Sequence, residues 1–264
     1  MRIFIAIAAV LIGLRPALAQ DIEVDVELVL AADVSRSMSP HELEIQRRGY
    51  AEAIASDEVM GTIGNGMIGR IAVTFMEWAG SDLQTVVVPW TLIDSREDAQ
   101  AVADLLTAEF HGNMRRTSIS SALTQAATLF DDNGFRGLRR IIDVSGDGPN
   151  NSGSPVVPAR DAVLARGIII NGLPLMTTDG FSYRWGIEDL DVYYLNCVIG
   201  GPGAFVIPVH DWSEFAEAVR RKLVLEIAGG PGGSDTATLR RANGYDCLVG
   251  EKIWQRNRTI WMEP

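Results

Sequence analysis

Asp33, Ser35 and Ser37 occupy alternate positions directly behind an apolar run, in LVLAADVSRSMSP. Thr117 stands in MRRTSISSAL and Asp147 in DVSGDGPNN, both distant from the first segment in the chain. Three hydroxyls and two carboxylates form a donor set with no nitrogen or sulfur. Such a set suits a hard, oxygen-preferring cation: Mg2+ first, then Mn2+ or Ca2+. Among these segments the only histidine nearby is His111, six residues upstream of Thr117. An extended backbone sends every second side chain the same way, so Asp33, Ser35 and Ser37 are predicted on one side, with Val34 and Arg36 on the other. The other reading of this segment is a helix N-cap with polar turn residues, since Ser39-Pro40 is a common way to begin a helix.

The elements that must position these residues alternate in type. Val24–Ala31 reads as a strand apolar on both faces, as parallel sheets require. HELEIQRRGYAEAIAS follows as a helix, with Ser39 as N-cap and Pro40 at its first position. Residues 69–80 and LQTVVVPWTLI are strands joined by a short Gly-Ser-Asp link, which predicts an antiparallel pair. Residues 95–110 and SISSALTQAATLFDD carry helical periodicity, the latter beginning near Ser118. LRRIIDVSGDGPNN is a strand running into a loop. PARDAVLARG, IIINGLPL, GAFVIPV and DWSEFAEAVRRKLVLEI continue as helix, strand, strand and helix. This order predicts an α/β fold: a doubly wound, mostly parallel sheet with one antiparallel edge strand and helices on both faces. In such sheets ligands bind beyond the C-terminal strand ends, where Asp33 and Asp147 fall.

Met1–Ala19 reads as a secretory signal peptide: a basic start at Arg2, a short apolar segment and an Ala-Leu-Ala cleavage signal. Its loss takes the net charge from −11 to −13, because Arg2 and Arg15 go with it. So acidic a chain is poorly suited to nucleic acid or anionic membranes. Export makes a disulfide the expected state of the two cysteines, Cys197 and Cys247. The expected organisation is a signal peptide over 1–19, one domain over 20–227, and a Gly-rich linker with a C-terminal tail over 228–264. The tail carries Tyr245, Trp254 and Trp261 without clear periodicity and is tied back by the cysteine pair.

Asp33-x-Ser35-x-Ser37 after an apolar strand, Thr117 before a helix with Ala122-Leu123, and Asp147-Gly148 after a strand together resemble the metal-ion-dependent adhesion site (MIDAS) of von Willebrand factor type A domains. The likeness spans residues 25 to about 227. The chain is also similar overall to a group of exported bacterial proteins that carry such a domain and have no assigned function. One departure is local: SGDGPNN stands where Thr-Asp-Gly is commoner.

The resemblance implies that Ser35, Ser37 and Thr117 ligate the cation directly, while Asp33 and Asp147 do so directly or through water. Neutral hydroxyls leave the cation's charge poorly neutralised, which favours a carboxylate arriving from outside. The expected function is a non-enzymatic, cation-dependent protein-binding module, periplasmic or secreted, that captures a Glu or Asp of a partner. The alternative is a Mg2+-dependent hydrolase or phosphatase using Asp33 as nucleophile. Against it, Ser35 stands where aspartyl phosphatases want a second acid, and no lysine is nearby. Ser145 is expected to brace the site, Arg115 and Arg116 are candidates for attracting an acidic partner, and Tyr183 and Trp185 are candidates for the upper rim.

Overall fold

The computed structural model describes residues 20–108, 116–177, 186–229 and 244–260. The expectations for residues 1–19, His111, Arg115, Tyr183, Trp185, the linker beyond Gly229 and Trp261 lie outside the described residues.

A five-stranded sheet forms the centre, in the order β3-β2-β1-β4-β5. Its strands are β1 (Ile22–Asp33), β2 (Ile71–Trp78), β3 (Gln84–Ile93), β4 (Phe135–Gly146) and β5 (Ile169–Pro174). All neighbours are parallel except β2 and β3, which pair antiparallel at one edge as their short link requires. β1 is buried from Val24 to its end, because strands lie on both sides of it and helices cover both faces.

Helices α1 (Pro40–Ile54), α2 (Asp57–Gly64), α3 (Arg96–Ala108) and α7 (Phe215–Ala228) cover one face, closing a core built on Val26, Leu28, Leu30, Phe75, Tyr50 and Phe215. On the other face lie α4 (Ile119–Thr128), α5 (Val156–Ala165) and α6 (Leu190–Tyr193), which runs on as a π-helical turn over Tyr194–Val198. That face packs Val29, Ala31, Trp78, Leu123, Val144 and Tyr194. Alternate β1 residues thus feed two separate cores.

The start of α1 follows its sequence signals. Ser39 Oγ accepts the Glu42 amide at 3.3 Å while Glu42 Oε2 accepts the Ser39 amide at 2.6 Å, with Pro40 at the first position. Three expectations are corrected. GAFVIPV is not a sixth strand: it covers the outer edge of β5 through isolated bridges at Gly200, Val206 and Val209. Gly201 and Gly203 are left-handed there (φ 97° and 72°), and Pro208 lacks the amide a ladder needs. Residues 57–64, given no element by the sequence reading, form α2. The tail is not irregular throughout, since Val249–Ile260 is a helix, α8. Cys197 and Cys247 are joined by a disulfide. No helix among the described residues is long and apolar enough to cross a membrane.

Candidate metal centre

The pairing of β1 with β4 sets the site. Ala32 lies opposite Ser145, which brings Asp33, the last residue of β1, beside Gly146 and the loop carrying Asp147. The Asp33 carbonyl accepts Gln46 Nε2 from α1 at 3.0 Å, and its Oδ1 accepts the Ser35 amide at 2.7 Å. That second bond is the i to i+2 link by which aspartate starts a turn. The chain duly turns, with the Met38 amide donating to the Ser35 carbonyl at 3.1 Å.

This corrects the expectation of alternation along an extended segment. Same-side residues of a strand stand about 7 Å apart, whereas the Ser35 and Ser37 hydroxyls lie 3.0 Å apart. The turn, not the pleat, brings them together. Ser37 Oγ then donates to Asp147 Oδ1 at 2.8 Å, joining the first segment to the loop after β4.

Thr117 reaches the same loop through its backbone. The Asn151 amide donates to the Thr117 carbonyl at 2.9 Å, and the Thr117 amide donates to Asn151 Oδ1 at 3.0 Å. Ser118, which caps α4, donates its amide to the Ala79 carbonyl at 2.7 Å. Asn150 Oδ1 accepts the Ser120 amide at 3.0 Å, and the Asn150 amide donates to Tyr193 Oη at 3.1 Å. Asn150 and Asn151 thus position the threonine loop against the aspartate loop. The Gly-Asp-Gly-Pro-Asn-Asn run marks a turn in sequence, but the partners Ser120 and Thr117 that the two asparagines hold lie thirty and thirty-four residues away.

Electrostatics at the site are unfavourable within the chain. Asp33 is fully buried, and burial first, then the Asp147 charge, push its carboxyl well above the usual range against the bond from Ser35. Burial likewise pushes Asp147 up to about 6, opposed by the Ser37 hydroxyl and assisted by the Glu42 charge. Asp33 Oδ2 and Tyr194 Oη are buried without a hydrogen-bond partner. Both face Gly146, where an added Cβ would come within 3.0 Å and 2.9 Å of them. Among the described residues, no basic side chain pairs with Asp33 or Asp147.

Ser145 does not brace the site. It accepts Tyr50 Oη at 3.2 Å on the face covered by α1. His41 and His210 are exposed. No group of three or more His, Cys, Asp or Glu among the described residues could hold a metal, so the candidate set rests on hydroxyls with two acids. That set, with the orphaned Asp33 Oδ2 among its oxygens, fits a hard divalent cation.

The fold has solved counterparts. Proximal thread matrix protein 1 from the mussel byssus, in a form with a zinc-occupied MIDAS motif, matches with a TM-score of 0.57 at 17% identity, over 80% of this chain and 49% of that one. The pilus adhesin SpaC from Lactobacillus rhamnosus GG gives 0.54 at 12% identity, over 79% and 32%. A von Willebrand factor type A protein from Catenulispora acidiphila gives 0.52 at 18% identity, over 78% and 43%. The chain spans about half the length of the mussel protein, and these likenesses establish the fold. No curated protein matches the sequence. Residues 23–231 match the family described as a protein of unknown function, DUF1194, and the chain, a von Willebrand factor type A-like fold, belongs to that family.

Proposed function

We propose that the protein is a non-enzymatic, divalent-cation-dependent binding module, and that Asp33, Ser35, Ser37, Thr117 and Asp147 form an intact MIDAS-type site. The observation that carries this reading is the pair Asp33 and Asp147: two buried carboxylates raised by their surroundings, among hydroxyls, with no basic partner among the described residues. Burying such charge without a counter-ion is costly, and a cation from solution offsets the cost. Ser35, Ser37 and Thr117 hold the cation with neutral oxygens, while Asp33 and Asp147 hold it directly or through water. Mg2+ is the first choice, with Mn2+ or Ca2+ compatible with the same oxygens.

A bound cation would supply an under-neutralised coordination position that a carboxylate oxygen can complete. The partner is therefore a protein presenting a Glu or Asp side chain. We place the protein outside the cytoplasm, periplasmic or secreted, a reading supported by the disulfide and the signal-like N-terminal segment. The domain division expected from the sequence is retained as part of this reading.

Asp33→Asn keeps the side-chain volume and removes the charge. Calorimetric titration with Mg2+ and Mn2+ should show binding to the wild type and none to the variant, with unchanged circular dichroism. Normal binding by the variant overturns the site. Extracellular proteins should be retained by the immobilised chain in Mg2+ and released by chelator. Equal recovery in both overturns cation-dependent capture.

A further inference from the structure

Helix α8 lies outside the residues matched by the family, yet it touches both loops that meet at the candidate site. Glu251 Oε1, in its first turn, accepts Asn150 Nδ2 at 2.7 Å. Gly250 sits so close to that loop that an added Cβ would come 2.1 Å from the Asn150 carbonyl oxygen and 3.0 Å from Pro149 Cβ. One turn further on, Trp254 lies under the Arg116 guanidinium, 4.8 Å from ring centroid to Cζ. Arg116 directly precedes Thr117 and holds a left-handed backbone (φ 74°), which a non-glycine residue keeps only where its surroundings compel it.

The contacts converge on the site through named bonds. Asn150 fixes the first turn of α4 through the Ser120 amide, and Asn151 fixes Thr117 through both its amide and carbonyl. The tail is also anchored beside the loop. Cys247 is bonded to Cys197, Tyr245 Oη donates to Asp189 Oδ2 at 2.9 Å, and the Tyr245 ring packs edge-on against Tyr193, whose hydroxyl receives the Asn150 amide. A helix of twelve residues is marginal by itself in water. The disulfide supplies the proximity that keeps it seated.

We propose that α8 is a disulfide-tethered brace that positions the Thr117 and Asp147 loops, so that its seating sets the affinity of the site for a divalent cation. This rests on the cation-site reading, although the brace itself can be tested without any cation. Glu251 and Trp254 act as positioning residues through Asn150 and Arg116.

The test uses the full chain as Glu251→Ala/Trp254→Ala, Cys197→Ser/Cys247→Ser, and the conservative Glu251→Gln, which retains the acceptor oxygen. In chelator, hydrogen–deuterium exchange at the amides of Thr117, Ser120, Asn150 and Asn151 should accelerate about tenfold or more in the two double variants, as expected for loss of local closure. The β1 and β4 core amides should remain as in wild type. Glu251→Gln should behave as wild type. Affinity for Mn2+, measured by calorimetry, should fall about tenfold in the Glu251/Trp254 double variant, in keeping with lost hydrogen-bonding and stacking contacts. Unchanged exchange at those four amides overturns the brace, and the Glu251/Trp254 variant decides if the cysteine variant does not fold. Faster exchange with unchanged Mn2+ affinity overturns the coupling. Absence of Mn2+ binding to the wild type overturns the site and the affinity claim, and exchange still decides whether α8 braces the loops.

Discussion

Replacing Glu226 by Gln should stabilise the protein at alkaline pH and leave it almost unchanged at acid pH. Asp143 on β4, Lys222 and Glu226 on α7 are all fully buried. Lys222 Nζ lies 2.8 Å from Asp143 Oδ1 and also bonds Glu226 Oε1, which accepts Asn171 Nδ2 at 2.9 Å. Two carboxylates therefore share one ammonium. Burial pushes Glu226 up to about 7, Lys222 opposes the rise, and the Asp143 charge adds to it. Asp143 is raised by burial against the pull of Lys222. Between 4.5, the ordinary value, and about 7, the folded chain holds a proton at Glu226 that the unfolded chain has released. Stability must then fall as pH rises through that window and level off above it.

Glutamine keeps the acceptor for Lys222 and Asn171, cannot ionise, and leaves Asp143 a neutralising partner of its own. With about 1.4 kcal/mol per pKa unit, the variant should gain on the wild type by about 2–3 kcal/mol between pH 5 and pH 8. Urea unfolding at pH 5, 6, 7 and 8 in chelator measures it, and contributions from Asp33 and Asp147 cancel in the comparison. A stability difference that stays constant with pH, or a variant less stable than wild type at pH 8, refutes the reasoning.

Two further substitutions probe the frame around the site. Gly146→Ala places a methyl 2.9 Å from Tyr194 Oη and 3.0 Å from Asp33 Oδ2, both in tightly packed elements. It should cost about 1–3 kcal/mol in thermal or urea unfolding and weaken Mn2+ binding; full stability with normal titration would show that the close approach is immaterial. Arg47→Met removes the buried partner of Glu77, bonded at 2.5 Å, and a donor to the Leu106 carbonyl at 3.0 Å. Urea unfolding should show a loss of about 3–5 kcal/mol, and a loss under 1 kcal/mol would mean that Glu77 finds another partner.

The sheet was legible because its signals are local. A strand buried on both faces is apolar throughout, a short link forces antiparallel pairing, and Ser39-Pro40 with Glu42 writes a helix start in four residues. Asp33 and Asp147 were expected at one edge for a related reason: sheet topology alone carries strand ends to a common edge. The arrangement of the five candidate donors was not legible. Alternation in Asp33-Val34-Ser35-Arg36-Ser37 resembles a strand pattern, yet the Asp33 carboxylate captures the Ser35 amide and starts a turn, a choice made once Asp33 is fixed beside Gly146. Asn150 and Asn151 carry no signal of what they hold, because partners such as Thr117, Ser120, Tyr193 and Glu251 are distant in sequence. Helix α8 was missed because its apolar residues are few among charged and polar ones in VGEKIWQRNRTI, and the disulfide provides the proximity that periodicity would normally advertise.

The fold contains two pairs of buried carboxylates, and the contrast between them bears on function. Asp143 and Glu226 lie inside the core under α7, and an ammonium was placed between them; the chain itself supplies one counter-charge to that pair. Asp33 and Asp147 lie at the strand edge, are raised by the same burial, and receive hydroxyls and amides but no cation from the described residues. Hydrogen bonds satisfy lone pairs without cancelling net charge, so the second pair has no counter-charge from the described residues where the first has one. An internal lysine would fix one counter-charge in place, as Lys222 does for the first pair. On the proposed reading, a counter-charge left to solution would make these carboxylates responsive to divalent cation and leave a side open to a partner's carboxylate. The position of each pair matches this division: the one with an internal ammonium is sealed beneath a helix, and the one without lies where the Ser35–Ser37 turn meets the Asp147 loop.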